Sequence, residues 1–199
     1  MRLARSVAML SLLLSSQAIA QTYPDRSIKM IVPLAAASAV DVAARIVTQK
    51  MADNIGQQIV ILNQPGASGS IGAEQVARAE PDGYTIGGFN DSIMTMVPHL
   101  QARLRWDILK DFEPVSLVAT VEWGLVANNN ASFKSAADLI AAAKAAPGKI
   151  DYGSGGPGSP QHLAMAMFAS AAGISLTHVP YKGATQAATD VAAGRARVF

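Results

Sequence analysis

Ile28-Lys29-Met30-Ile31-Val32-Pro33, followed by Leu34-Ala35-Ala36-Ala37-Ser38-Ala39-Val40-Asp41-Val42-Ala43-Ala44-Arg45, is the stretch on which the fold turns. The apolar run halted by proline predicts a strand over Ile28–Val32. Beyond it, Val40, Ala44, Val47 and Met51 recur at spacings of four, three and four, one face of a helix, and Gly56 stands where a C-terminal glycine cap belongs. Strand, small-residue loop and helix make one βα unit, and the unit repeats. Gln58–Leu62 reads as a second strand and Asn63–Ser70 as a turn-rich loop. A short helix over Ile71–Ala79 is ended by Pro81-Asp82-Gly83, and Tyr84–Phe89 reads as a third strand. That order predicts the start of a right-handed, doubly wound, mostly parallel sheet.

Further along, Ile93–Leu104 is rich in Met and shows no clear period, while Pro114–Ala119 and Trp123–Ala127 predict two strands. After the polar break Asn128-Asn129-Asn130, an alanine-rich helix is expected over Ser135–Ala146, capped by Ser135 and ended by Pro147-Gly148. Strands at Ile150–Ser154 and Ser175–Val179 alternate with helices at Gln161–Ala172 and Thr185–Ala193, closed by Gly173 and Gly194. Arg195–Phe199 reads as the opening of another strand. The expected division is a leader over 1–20, a first α/β lobe over 21–127 and a second, incomplete α/β lobe over 128–199. A parallel sheet cut at that point has an unpaired edge, which predicts poor stability for the isolated chain.

The 199 residues are half apolar and 15% charged, with no Cys. That composition excludes a disordered chain, a disulfide scaffold, a thiolate metal site and a Cys nucleophile. Met1–Ala20 carries Arg2 and Arg5, the apolar run Val7–Leu14 and Ala18-Ile19-Ala20, which is the pattern of a secretory signal peptide cleaved before Gln21. The run is far shorter than the ~20 residues a membrane span needs, so export to the periplasm is expected, without a membrane span. Setting those two Arg aside from the 16 Lys+Arg leaves 14 bases against 14 acids, a neutral body in spite of the formal +2. Neutrality and 6% aromatics argue against nucleic acid.

Three strand-to-helix connections have the chemistry to hold a ligand, since open α/β sheets bind at the carboxyl ends of their strands. Residues 34–41 lead into a helix whose first N–H groups suit a carboxylate. Asp41 there reads by default as compensation of the helix dipole, paired with Arg45 one turn on. Residues 152–163 hold four glycines, which let the backbone approach a ligand, with Ser159 placed to cap the helix and donate to an anion. His162 reads as a packed or capping residue before it reads as a ligand contact. Val179-Pro180-Tyr181-Lys182-Gly183 ends a strand with an aromatic and a cation. Gly66-x-x-Gly69-x-x-Gly72 lacks the dinucleotide spacing, and there is no Walker pattern, no G-x-S-x-G and no H-E-x-x-H. His99, His162 and His178 are too scattered along the chain to mark a metal site. No cofactor is expected.

Tyr23-Pro24-Asp25-Arg26, Ile31-Val32-Pro33 running into Asp41, Asn63-Gln64-Pro65-Gly66-Ala67-x-Gly69-x-Ile71-Gly72-Ala73-Glu74, Pro81-Asp82-Gly83-Tyr84-Thr85, Asp111-Phe112-x-Pro114-Val115, Pro147-Gly148-Lys149, the 152–163 loop and Val179–Gly183 follow one another in an order and spacing that resembles the periplasmic solute-binding receptors of tripartite tricarboxylate transporters, the Bug receptor family. The resemblance implies an α/β, two-lobed periplasmic-binding-protein (Venus flytrap) architecture, here truncated in the second lobe. It implies no enzyme but a receptor, monomeric at full length, that closes on a small carboxylate and delivers it to the membrane subunits of a tripartite transporter. The contact candidates it implies are Leu34, Ala37, Ser38, Val40 and Asp41 of the first loop, Asn90 and Ser92, then Gly156, Gly158, Ser159 and Gln161 of the second lobe, with Tyr181 near the cleft.

The chain departs from the family's usual Pro-Gly-Gly and hydroxyl residue before the Asp, reading Ala36-Ala37-Ser38 and Val40. The added Cβ atoms and the lost donor imply a different ligand, with an apolar group near Val40, or a degraded first-lobe site. Two other readings stand beside the receptor: an exported α/β enzyme on a carboxylated small molecule, for which Asp41, His162 or Lys182 would be catalytic, and a ligand sensor without transport.

Overall fold

A computed structural model describes residues 22–199; the leader expected over Met1–Ala20 and the cleavage expected before Gln21 lie outside the described residues. β1 (Ile28–Val32), β2 (Ile59–Asn63) and β3 (Thr85–Gly87) form a parallel sheet in the order β2-β1-β3. The central strand is buried apart from Lys29, as a strand covered on both faces must be. α1 (Ala39–Ile55) packs through Ala44 with Met30 and Val32. α2 (Ser70–Ala77) packs through Ala73 with Ile93, Val97 and Trp106. α1 crosses from the central β1 to β2, and α2 crosses from β2 past β1 to β3 on the other edge, which gives the doubly wound start.

The helix boundaries are set by local chemistry. Ser38 caps α1 by accepting from the Asp41 N–H, and Gly56 ends it in the left-handed conformation at φ 71°, its N–H donating to the Ala52 carbonyl. The Met-rich stretch becomes a π-helical turn, Ser92–Met96, running directly into α3 (Val97–Leu100). Five-residue and four-residue hydrogen-bond loops in succession have no single apolar period, which is why the sequence shows none.

The second sheet is β4 (Asp151–Ser154) parallel to β5 (Thr177–Pro180), wrapped by α4 (Ala136–Ala145), α5 (Pro160–Ala172) and α6 (Ala184–Ala192). Val198 lies beside Tyr152 on the other side of β4 and is bridged in turn by Ala127, so the chain end joins this sheet through single bridges. Its core is Phe133, Leu139, Ile150, Tyr152, Met165 and Val198.

The two strands expected at Pro114–Ala119 and Trp123–Ala127 do not form. Val115, Leu117, Val118, Val121 and Trp123 are all exposed, and regular pairing begins only where Val126 exchanges two backbone hydrogen bonds with Phe199. The composition is that of a strand, but a strand needs a neighbour to take its N–H and C=O groups, and 114–125 has none among the described residues. The segment runs as an extended strap between the two sheets.

Candidate functional site

A cleft of about 650 Å³ lies between the two sheets, and every one of the five strands contributes to it at its carboxyl end. Pro33, Leu34, Ala35, Ser38 and Val40 follow β1; Gly66–Gly69 follow β2; Asn90–Ser92 follow β3; Gly155, Gly156, Ser159 and Gln161 follow β4; Tyr181, Lys182 and Gly183 follow β5. Val121 and Trp123 of the strap and Gln101 complete the wall. A topological rule of open α/β sheets thus operates twice, once from each side of one cavity.

The first wall is built around Asp41, which is 2% exposed and does not line the cleft. Its carboxylate takes a forked pair of hydrogen bonds from Arg45, Nε to Oδ2 at 3.0 Å and Nη2 to Oδ1 at 2.9 Å. It also accepts from Asn63 Nδ2 at 3.0 Å and from the Ala37 N–H at 2.9 Å. The Arg45 guanidinium above all, with Asn63 and Ala37, holds its pKa down to about 2 against the opposing effect of burial. Asn63 also donates to the Leu34 carbonyl, tying the end of β2 to the loop after β1. Asp41 is therefore the post on which the 34–41 loop is wound. Ala37 sits on the turn at φ 60° with its N–H committed to that post, and it does not line the cleft either. The N–H groups of Ala39 and Val40, at the start of α1, have no partner among the described residues.

In the Asn90–Ser92 loop, Asn90 Oδ1 accepts from Ser92 Oγ at 3.0 Å and from the Ile93 N–H at 3.3 Å, which leaves the Asn90 amide nitrogen to the cleft. The Gly66–Gly69 loop reads in the sequence as a turn-rich connection and as part of the resemblance motif, and is not named among the contact candidates. The available signal was positional, since it is one more strand-to-helix connection of the same sheet. Gly72, at the end of that glycine series, has a packing reason: a Cβ there would stand 2.6 Å from the Pro33 Cβ. Tyr23 and Asp25 likewise serve structure, since the Tyr23 hydroxyl donates to the Gly83 carbonyl and the Tyr84 hydroxyl to Asp25, joining two of the sequence motifs to each other away from the cleft.

The second wall is the glycine loop and the starts of α5 and α6. Ser159 caps α5 by accepting from the His162 N–H, so its own hydroxyl hydrogen is free to donate. Gly158 stands outside the lining; its N–H donates to His162 Nδ1 at 3.0 Å. His162 is thus a capping residue, stacked on His178 with ring centres 4.2 Å apart, and His178 stacks in turn on Tyr152. His178 Nε2 lies 2.6 Å from Ser154 Oγ, which accepts from the Gly156 N–H. This Ser–His pair is fully buried at Ser154 and neither member lines the cleft, so it shapes the loop and offers no nucleophile to a ligand. Tyr181 lines the cleft with its hydroxyl committed to Asp190 at 2.8 Å.

The walls touch on both flanks. The Ser68 hydroxyl donates to the Pro157 carbonyl, and Thr185 Oγ1 donates to the Ala36 carbonyl at 3.4 Å. Of the lining side chains only Asp91 and Lys182 are charged. Among the described residues no three His, Cys, Asp or Glu stand together, and no helix is long and apolar enough to cross a membrane.

Residues 43–198 match the family model described as tripartite tricarboxylate transporter family receptor. A UPF0065 protein from the tcbD-tcbE intergenic region of Pseudomonas sp. strain P51 is 39% identical over 173 residues, 87% of this chain and 51% of that protein. Protein BugT of Bordetella pertussis is 34% identical over 200 residues, 98% of this chain and 61% of its own length. The chain thus spans about half the length of the curated relatives it matches. An R. palustris protein solved with adipate superposes with a TM-score of 0.85 at 32% identity, over 88% of this chain and 59% of that one. MatC from Rhodopseudomonas palustris, solved with bound malate, gives 0.78 at 27%, over 88% and 60%.

Proposed function

The chain belongs to the tripartite tricarboxylate transporter receptor family, and on that premise we propose that it is a periplasmic solute-binding receptor whose cleft captures a small carboxylate and whose full-length form delivers it to the membrane subunits of such a transporter. The observation that carries the reading is the convergence of five strand ends, from two sheets, on one cavity of about 650 Å³. Adipate and malate in structural relatives support the ligand class.

Backbone and hydroxyl donors do the holding in this reading. Ser38 with the Ala39 and Val40 N–H groups faces Ser159 and Gln161 across the cleft, at the positive ends of α1 and α5, with Lys182 beside them. A small acid enclosed between the walls exchanges water for these fixed dipoles, and bridging waters fill the remaining positions. Leu34, Asn90, Ser92, Gly156 and Tyr181 shape the enclosure.

Calorimetric titration of the purified protein with di- and tricarboxylates, aromatic carboxylates and amino acids tests the proposal, with NMR of the ligand after incubation. Saturable binding of a carboxylate recovered unchanged is expected. No heat from any acid in the panel, or conversion of the ligand, would overturn it.

A further inference from the structure

The two walls of the cleft differ in charge. The first carries Asp91 on its surface and the Asp41 carboxylate in the first turn of α1, where it already takes the Ala37 N–H that faces that loop. The Arg45 that neutralises Asp41 stands one turn farther along the helix and is about half exposed. The second wall has Lys182 on its surface, and neither α5 nor α6 has an acid in its first turn. A single negative charge is therefore better placed against the second wall, where the lining holds Lys182, than against the first, where the charged lining residue is Asp91 and Asp41 is already neutralised by Arg45.

The same end of the cavity is apolar. Leu34, Ala35, Ala39 and Val40 line it from the first wall, and the strap adds Val121 and Trp123 to the lining of the same cavity. Trp123 is half exposed, with its ring available to a ligand. Val40 occupies the second helical position, next to the free N–H groups, and supplies a branched hydrocarbon where a hydroxyl would supply a donor.

Resting on the carboxylate-receptor reading above, we infer that this cleft selects carboxylates with one charged end and an uncharged, largely apolar body, and that Val40 and Trp123 are the residues that determine this choice. The charged end faces Lys182, Ser159 and Gln161, and the body lies against Val40 and Trp123. Ser38 and the Ala39 and Val40 N–H groups remain to meet water or a neutral polar atom. A second carboxylate at that end loses its hydration to hydrocarbon and gains no cation in return.

Hexanoate and adipate, equal in chain length and different in one terminal carboxylate, are the probes. Calorimetry of the purified protein is expected to show hexanoate binding at least about tenfold tighter than adipate. Val40→Thr, which restores a hydroxyl at nearly constant volume, is expected to bring the two within about threefold, and Trp123→Ala to weaken hexanoate by about tenfold. Circular dichroism melts of both variants matching the parent exclude a folding defect. Adipate equal to or tighter than hexanoate, or a preference that Val40→Thr leaves unchanged, overturns this inference and leaves the carboxylate receptor standing. No binding of either acid, together with none across the wider carboxylate panel, overturns both.

Discussion

Asp41 and His162 hold the same position in the two halves of the cleft: each is the third residue of the helix that follows the strand, and each accepts a hydrogen bond from the backbone N–H four residues earlier, Ala37 at 2.9 Å and Gly158 at 3.0 Å. In both halves the donor has a left-handed backbone, φ 60° and 78°, and a serine caps the helix between them. The side chain pins the loop that precedes the helix, beside the free N–H groups of Ala39 and Val40 in α1 and of Gln161 alone in α5, where Pro160 has none. α4 starts similarly, with Ser135 as cap and Asp138 accepting from the Lys134 N–H, yet it does not border the cleft. The device is a way of starting a helix, and its use at the site depends on where the strands end.

Because Asp41 is buried and Arg45 about half exposed, Asp41→Asn should cost about 1–2 kcal/mol at neutral pH, after discounting for solvent around the guanidinium. Its folded pKa of about 2 lies below the ordinary 3.8. Stability from the charged form is therefore complete above pH ~4 and lost as the pH falls from there toward 2. Urea unfolding of parent and variant at pH 7 and at pH 2.5 checks this, the gap between them narrowing in acid.

The histidine stack gives the second half its own pH response. Burial first, and the neighbouring His162 second, push His178 below its ordinary 6.5, so the folded protein favours the neutral ring. Stability from this source is complete above that value and falls as the pH drops through the window beneath it. Denaturation midpoints should decrease between pH 7.5 and 5, and His178→Phe, which keeps a stacking ring and cannot take up a proton, should flatten the decrease.

Ala37 pays for the tight turn of the first loop with a Cβ in the left-handed region, a position that favours glycine. Ala37→Gly should raise stability by up to about 1 kcal/mol, the relief of the Cβ contact exceeding the added freedom of the unfolded chain. A thermal melt measures it, and an unchanged or lower midpoint would show that the loop accommodates the methyl group.

What the sequence made legible was local. Ser38 and Gly56, and Ser159 and Gly173, mark helix ends because a cap is an interaction between residues three or four apart. The loops after β1 and β4 stood out for the same reason, and they form the two walls. Residues 114–125 misled because β-propensity says only that a segment fits a sheet, while the partner that would pair with it is a matter of tertiary structure. Trp123 went unrecognised as a cleft residue because nothing in its neighbours along the chain says which cavity it faces, whereas Gly66–Gly69 carried a positional signal, its place after β2, that went unused. The stacking of His162 on His178 was hidden similarly, sixteen residues and a whole helix separating them in sequence.

Gly183 stands where the second wall of the cleft comes close to Ala35 of the first. Its backbone is extended, so no conformational demand selects glycine there, yet an ideal Cβ would stand 2.8 Å from the Ala35 Cβ of the opposite wall. Both groups are rigid, one on a strand-to-helix connection and the other on the 34–41 loop that Asp41 holds, so the overlap is relieved by separating the walls. If the cleft holds a carboxylate as proposed, Gly183→Ala should weaken its binding by about tenfold, equivalent to about 1.4 kcal/mol of overpacking, while leaving the melt of the unliganded protein nearly unchanged. Small-angle scattering with saturating ligand should show a larger radius of gyration than the parent. Ala35→Gly in the same chain removes the opposing methyl group and should restore affinity, an outcome that a purely local effect at residue 183 would not produce.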